Sequence, residues 1–466
     1  MSKIMVKSIK NGGVVIAIVS MFFAGGINAR SAGLNPDSLL NDVNILFASI
    51  EEIHPDMFAN CSRKDFEKEL SAIKSGVNGN TRMLDFYVAV NSLAVKLNDG
   101  HTHIRFPYAE LKHPGVLLFP FPVEASSSDS SVRVTDDYTE SGDAIPLNSE
   151  ILSINGINIK TVVGKMTEQV SGEKTFYKID RLKYLFTPLL HALYESREFD
   201  IEYRFNETVF HKRIRGITYP ERYERQSQTN AGAETEPYSA TIDSTNNIAI
   251  IDFRQFVQLD RFAKFLDSTF TRIKKLNLKN LIIDLRNNGG GNSELGDELF
   301  QYISKVPFKQ FGETTIKTSK QKKEFYKSMY KTDDTCALGI VTMQSGELIK
   351  LRNNDLRFDG NVYVLQSHYT FSSAASFTWT FKHFGMGEIA GEESGGLAVC
   401  FGDIIIQKLP YSKFSYTVSH KKFYHYGATD DNIHGTIPDY EVPAASAMNF
   451  TIELIQKKSH PRAAGK

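Results

Sequence analysis

Residues 280–303 read NLIIDLRNNGGGNSELGDELFQYI, and the fold is decided here. Leu281-Ile282-Ile283 is an unbroken apolar run, as in a strand buried on both faces. Gly289-Gly290-Gly291 follows, and then Leu295, Leu299, Phe300 and Ile303 recur at helical spacing. Residues 361–385, NVYVLQSHYTFSSAASFTWTFKHFG, repeat the shape. Val362–Leu365 is again a buried-type strand, Ser372-Ser373 opens a helix, and Gly385 ends it. Ile248–Phe253 adds another strand and Phe262–Lys275 another helix. Strands alternating with helices predict an α/β core with a parallel sheet. Both turns then fall at the carboxyl ends of parallel strands, where such sheets bind ligands.

The turns limit the chemistry. A phosphate-binding loop needs Gly-Lys-Ser/Thr, which is absent. A dinucleotide fingerprint fails because Glu294 stands where its third glycine belongs. An oxyanion hole and a plain tight turn both fit the glycine run. A serine at a helix start is usually an N-cap. Beside a glycine turn of the same shape, Ser373 is also a candidate nucleophile facing the N–H groups around Gly290. No GxSxG elbow occurs, and the SxxK matches Ser71–Lys74 and Ser328–Lys331 lie away from both turns. A nucleophilic serine needs a base. His101 and His103 are candidates, on a probable strand after the turn Asn98-Asp99-Gly100.

The chain has 466 residues, 54 Lys+Arg against 54 Asp+Glu, 41% hydrophobic and 23% charged residues. That composition describes folded domains and excludes a nucleic-acid binder working through bulk positive charge. At the amino terminus, Lys3, Lys7 and Lys10 precede the apolar run Val14–Ala24, then Gly25, Gly26, Ala29 and Ala32. This is the pattern of a cleaved signal peptide, expected over residues 1–30. The protein is therefore expected to be exported, to the periplasm or outside the cell. Removing residues 1–29 takes away three lysines and no acid, leaving three more acids than bases. The run Val14–Ala24 is about half the ~20 residues a spanning helix needs, and no later apolar stretch is long enough to span a bilayer. Cys61, Cys336 and Cys400 are an odd set with no metal-site spacing, so no metal is assigned.

Four boundaries follow. Residues 31–106 read as a helical amino-terminal unit ending in the His101 strand. Residues 107–217 form a second unit, whose run IPLNSEILSINGINI (145–159) carries an Asn155-Gly156 hairpin signal. Its short strand pair resembles that of PDZ-like domains. Residues 218–240 are polar and expected to be a linker, and 241–466 hold the α/β core. The basic run Lys317–Lys331 reads as a solvated face, with an anionic partner as the alternative.

In order along the chain, LNDGHTHI (97–104), IIDLRNNGGG (282–291), TFSSAASF (370–377) with IAGEESGG (389–396), and HGTIPDYEV (434–442) resemble one family. It is the carboxyl-terminal processing, or tail-specific, serine peptidases, with the tricorn core protease as a relative. EEIHPDMF (51–58) is similar to the family's amino-terminal region. The resemblance implies a crotonase-like (ClpP/crotonase-type) α/β core with a PDZ-like insert, peptide-bond hydrolysis of protein or peptide substrates, and no cofactor. Matched motif by motif, it makes Ser373 the nucleophile and the N–H groups of Gly290 and Ala374 the oxyanion hole. Processing members use a lysine where this chain has Leu397, and leucine cannot accept a proton. The tricorn-like branch uses a histidine that matches His101, which becomes the general base. That branch orients its histidine through a serine, here replaced by Gly100, and a glutamate whose place falls near Asn432. Asp431 is then the candidate orienting carboxylate and Asp99 the second choice. A catalytically silent relative that binds peptides or apolar ligands is the alternative. Acyl-CoA chemistry is a third reading, disfavoured by export.

Overall fold

Strands Asn280–Asp284 and Asn361–Gln366 lie side by side and parallel, with Leu281 opposite Val362. They are central in a six-stranded sheet ordered Tyr440–Glu441, Glu388–Gly391, Asn361–Gln366, Asn280–Asp284, Ile248–Phe253, Tyr238–Asp243. All neighbours pair in parallel except the last two strands, which are antiparallel. The computed structural model describes residues 34–139, 145–229 and 236–459, so the expected signal peptide lies outside the described residues.

Alternation along the strands explains the apolar runs. Leu281 and Ile283 face helices Leu259–Lys275, Glu294–Ile303 and Ser373–His383, packing with Phe262, Leu299 and Phe377. Ile282 points to the other face, against Ala447 and Ile455 of helix Ala447–Ser459. With both faces covered, the middle positions of the two central strands are apolar or aromatic, and Asn280, Asp284, Asn361 and Gln366 stand at the strand ends.

Before this sheet come helices Pro36–Ile53, Arg63–Gly76 and Met83–Val95. They share one apolar cluster with an antiparallel sheet between Val123 and Arg215, and with Ile405, Phe414 and Val418 near the carboxyl terminus. The Asn155-Gly156 hairpin forms as expected. Both residues have positive φ, 51° and 74°, and Ile154 pairs with Ile157.

The polar stretch expected as a linker holds a helix, Tyr219–Thr229. Its start is a capping box: the Glu221 side chain accepts the Thr218 N–H at 2.6 Å, and the Thr218 hydroxyl accepts the Glu221 N–H at 3.4 Å. The helix buries no residue, so hydrophobic periodicity gave no sign of it.

A third sheet connects the two ends of the chain. Strand Ser415–His425 pairs along one edge with Val399–Lys408. Its other edge is shared by His103–Ile104, through Thr417 and Tyr416, and by Phe311–Thr318. The short histidine strand is thereby held by a segment some 310 residues downstream. No helix among the described residues is long and apolar enough to cross a membrane.

Candidate active site

The two strand-to-helix turns stand next to each other at the carboxyl ends of paired strands, as the sequence predicts. Asn288 organises the glycine turn from inside. Its side chain donates to Phe253 O at 2.7 Å and accepts the Gly290 N–H at 2.8 Å, and its carbonyl accepts the Phe371 N–H at 3.1 Å. Gly290 has φ +99°, and a Cβ there would lie 2.7 Å from Ser372 Cβ and 2.9 Å from Ser373 N. Any side chain at 290 pushes into the serine turn. Gly290→Val is therefore expected to lower turnover at least about 100-fold, measured as kcat on an unfolded protein substrate.

The serine facing the histidine is Ser372. Its Oγ lies 3.0 Å from His101 Nε2. Ser372 has φ 53° and ψ −128°, a region a residue with a side chain occupies at a cost of about 1–3 kcal/mol. It precedes helix Ser373–His383 without using its side chain as a cap. Ser373 points elsewhere and donates from Oγ to Gly291 O at 2.6 Å. The expected nucleophile with His101 as base is Ser373, but the serine the structure places beside that histidine is Ser372, one residue earlier. Ser373 is the first helical residue, so its side chain turns toward the glycine loop.

The predicted oxyanion donors shift for the same reason. The Gly290 N–H is taken by Asn288, and the Ala374 N–H is bonded to Phe371 O at 3.1 Å. The Ser373 N–H heads the helix beside Ser372, where first-turn donors have no intrahelical partner. Leu397 is buried, so the position of the expected lysine is apolar.

His101 is set by its own turn and by the downstream strand. Its N–H is donated to Asp99 Oδ1 at 2.9 Å, and its carbonyl accepts the Thr417 hydroxyl at 2.6 Å. Phe371 stacks on its ring at 4.7 Å, and Tyr177 stacks on Phe371 at 4.4 Å. Burial lowers the His101 pKa, against the opposing pull of Asp99 and Asp403. The shift favours the neutral imidazole. His101 Nδ1 faces Asp99 Oδ1 at 3.8 Å. His103 turns to Thr417, 3.3 Å from its hydroxyl.

Asp99 is the carboxylate beside His101. It is fully buried, and its Oδ2 accepts the hydroxyls of Thr102 at 2.5 Å and Ser419 at 2.7 Å. Burial by itself would raise its pKa, but His54, His101 and Ser419 outweigh it and hold Asp99 below the usual carboxylate range. Asp431 is exposed on the loop after strand Ser415–His425, and no hydrogen bond or ion pair joins it to His101 among the described residues. The second choice from sequence, Asp99, is the carboxylate that stands 3.8 Å from the ring nitrogen.

A further carboxyl reaches this corner from the middle of the chain. Both Glu173 side-chain oxygens are buried without a hydrogen-bond partner. A Cβ on Gly100 would come within 3.3 Å of one of them. Burial and then the charge of Asp99 raise Glu173 to about 8. A carboxyl whose folded pKa is raised loses stability as pH climbs from its unfolded value, about 4.3, toward the folded one. Glu173→Gln removes that loss. The variant is expected to melt higher than wild type at pH 8, with the gap closing at pH 5, as read by calorimetry.

Among the described residues no group of His, Cys, Asp and Glu is arranged to hold a metal ion. The basic run splits. Lys317 caps the carbonyls of Glu51 at 2.6 Å and His54 at 3.0 Å, and Lys322 pairs with Asp334. A cleft of about 480 Å³ opens beside the serine turn, lined by Tyr184, Arg254, Asn287, Gly289, Gly290 and Tyr369.

Two catalysis-type turns on one parallel sheet, with a histidine against the serine of one, describe a hydrolase of the serine type. Comparison with known proteins identifies a domain within the chain. Residues 247–442 match the sequence model of peptidase family S41, so the chain carries an S41 peptidase domain and is a serine-type peptidase. No curated protein matches the chain significantly. Among solved structures, mature CPAF complexed with lactacystin has a TM-score of 0.62 and 14% identity over 91% of this chain and 97% of that one. Mature CPAF gives 0.61 and 13% over 91% and 96%. The photosystem II D1 C-terminal processing protease gives 0.45 and 13% over 91% and 99%. At these identities the CPAF likeness is one of fold.

Proposed function

We propose that the protein is an exported endopeptidase that hydrolyses peptide bonds with Ser372 as nucleophile and His101 as general base. The observation that carries this is the 3.0 Å contact between Ser372 Oγ and His101 Nε2. In the reaction, Nε2 takes the hydroxyl proton as Oγ attacks the carbonyl carbon. The Ser373 N–H, reinforced by the helix start, holds the developing oxyanion. His101 then returns the proton to the leaving amine, and water repeats the sequence on the acyl-enzyme. Asp99 fixes the imidazole. Protein or peptide chains are the substrates, entering along the cleft beside Gly289 and Tyr369.

In this reading the α/β core from residue 241 is crotonase-like and the sheet within 107–217 is a PDZ-like insert. The signal pattern of residues 1–30 supports export. A fluorophosphonate probe tests the nucleophile. Peptide mapping should find the label on Ser372, and Ser372→Ala should take none. Labelling elsewhere, or peptide binding with no labelling, would replace this reading by that of a silent peptide binder.

A further inference from the structure

His54 is buried behind the site, with 1% of its side chain exposed, and the mechanism above does not use it. It follows helix Pro36–Ile53, and the Lys317 side chain holds its carbonyl. Phe401 packs on its ring at 4.5 Å. The Asp56 N–H is donated to its Nδ1 at 3.2 Å. A ring nitrogen that accepts carries no proton, so the proton sits on Nε2. Nε2 faces Asp99 Oδ2 at 3.4 Å and has no well-directed hydrogen bond among the described residues.

Asp99 is then surrounded by donors: the His101 N–H on Oδ1, and the Thr102 and Ser419 hydroxyls with His54 on Oδ2. A hydroxyl proton can turn about its C–O bond, whereas a packed imidazole with a fixed tautomer cannot re-aim its N–H. We propose that His54 is a positioning residue, which fixes the Asp99 carboxylate so that Asp99 in turn fixes His101 against Ser372. This rests on the Ser372–His101 reading of the site. It extends the line of groups from Ser372 through His101 and Asp99 to a fourth member, from the stretch EEIHPDMF. Such outer partners typically change activity by about 10–100-fold at sites of comparable build.

The test uses the full chain and three variants. His54→Phe keeps the ring and its packing on Phe401 but loses the donor. His54→Met fills the same space with a flexible apolar chain, and carries the test if the Phe variant melts early. His54→Gln restores an N–H. The expected result is kcat reduced at least tenfold in the Phe or Met variant with KM within twofold, and partial recovery in Gln. Fluorophosphonate labelling per folded molecule should slow in step. A residue that only fills space would not separate Gln from Phe in this way. Wild-type kcat and labelling rate in a folded Phe or Met variant, with Ser372→Ala dead, would overturn the positioning role alone. Normal turnover by Ser372→Ala would instead overturn the nucleophile assignment.

Discussion

Ser372→Ala is expected to lower kcat at least about 10⁴-fold, while Ser373→Ala keeps it within about tenfold. The two residues are adjacent and both are serine, so size and polarity do not distinguish them. Geometry does. Ser372 Oγ is the atom 3.0 Å from His101 Nε2, whereas Ser373 Oγ is committed to Gly291 O at 2.6 Å. Removing the Ser373 hydroxyl loses one hydrogen bond, about 1 kcal/mol of stability. It leaves intact the backbone N–H proposed to hold the oxyanion. Removing the Ser372 hydroxyl loses the nucleophile and leaves only the oxyanion site and substrate binding. Cleavage of an unfolded protein by each variant, with thermal melting to show both are folded, decides the matter. Equal loss in both variants would mean that the turn works as one unit. A dead Ser373→Ala with an active Ser372→Ala would reverse the assignment.

This one-residue difference shows where sequence reading stops. The sheet was legible because Leu281–Ile283 and Val362–Leu365 are buried on both faces and so read as continuous apolar runs. The glycine turn was legible because φ +99° at Gly290 excludes a side chain. Which serine faces the base depends on where the helix begins, and the φ of 53° at Ser372 sets that. Periodicity places a helix end only to within a residue or two. A signal was nonetheless present. If the residue after the nucleophile is to donate its N–H, that residue must be the first of the helix, and this points to Ser372. The Gly290 N–H was lost to a side chain two residues away, a local bond that leaves no trace in hydrophobic patterning. Asp99 is hard to single out from sequence because one of its hydrogen-bond donors, Ser419, lies 320 positions along the chain. Partners so distant in sequence cannot be read from one sequence without the fold.

Asp99→Asn is expected to lower kcat by about 10³–10⁴-fold with KM little changed, since an amide of the same shape holds neither the tautomer nor the charge of the imidazolium. Its 3.8 Å distance from His101 Nδ1 does not argue against this, because catalytic hydrogen bonds in unliganded sites are often long and tighten with substrate. The same substitution has a signature in stability. The folded pKa of Asp99 is depressed below the unfolded value of about 3.9. The folded state thus binds fewer protons than the unfolded state as pH falls through that value, so stability drops with pH there. The stabilisation is fully present at neutral pH and is lost progressively below about pH 4. Asp99→Asn never had it. Near neutral pH the variant should melt well below wild type, since several buried donors lose a charged acceptor, each such bond counting for about 1.5–3 kcal/mol. On acidification below pH 4 the two melting curves should converge. Using the difference between the proteins cancels the titration of carboxylates that do not feel Asp99, and Glu173, which does, is already protonated in the folded state below pH 4. A gap that stays constant from pH 7 to pH 3 would show that Asp99 is not held as the buried anion on which His101 depends.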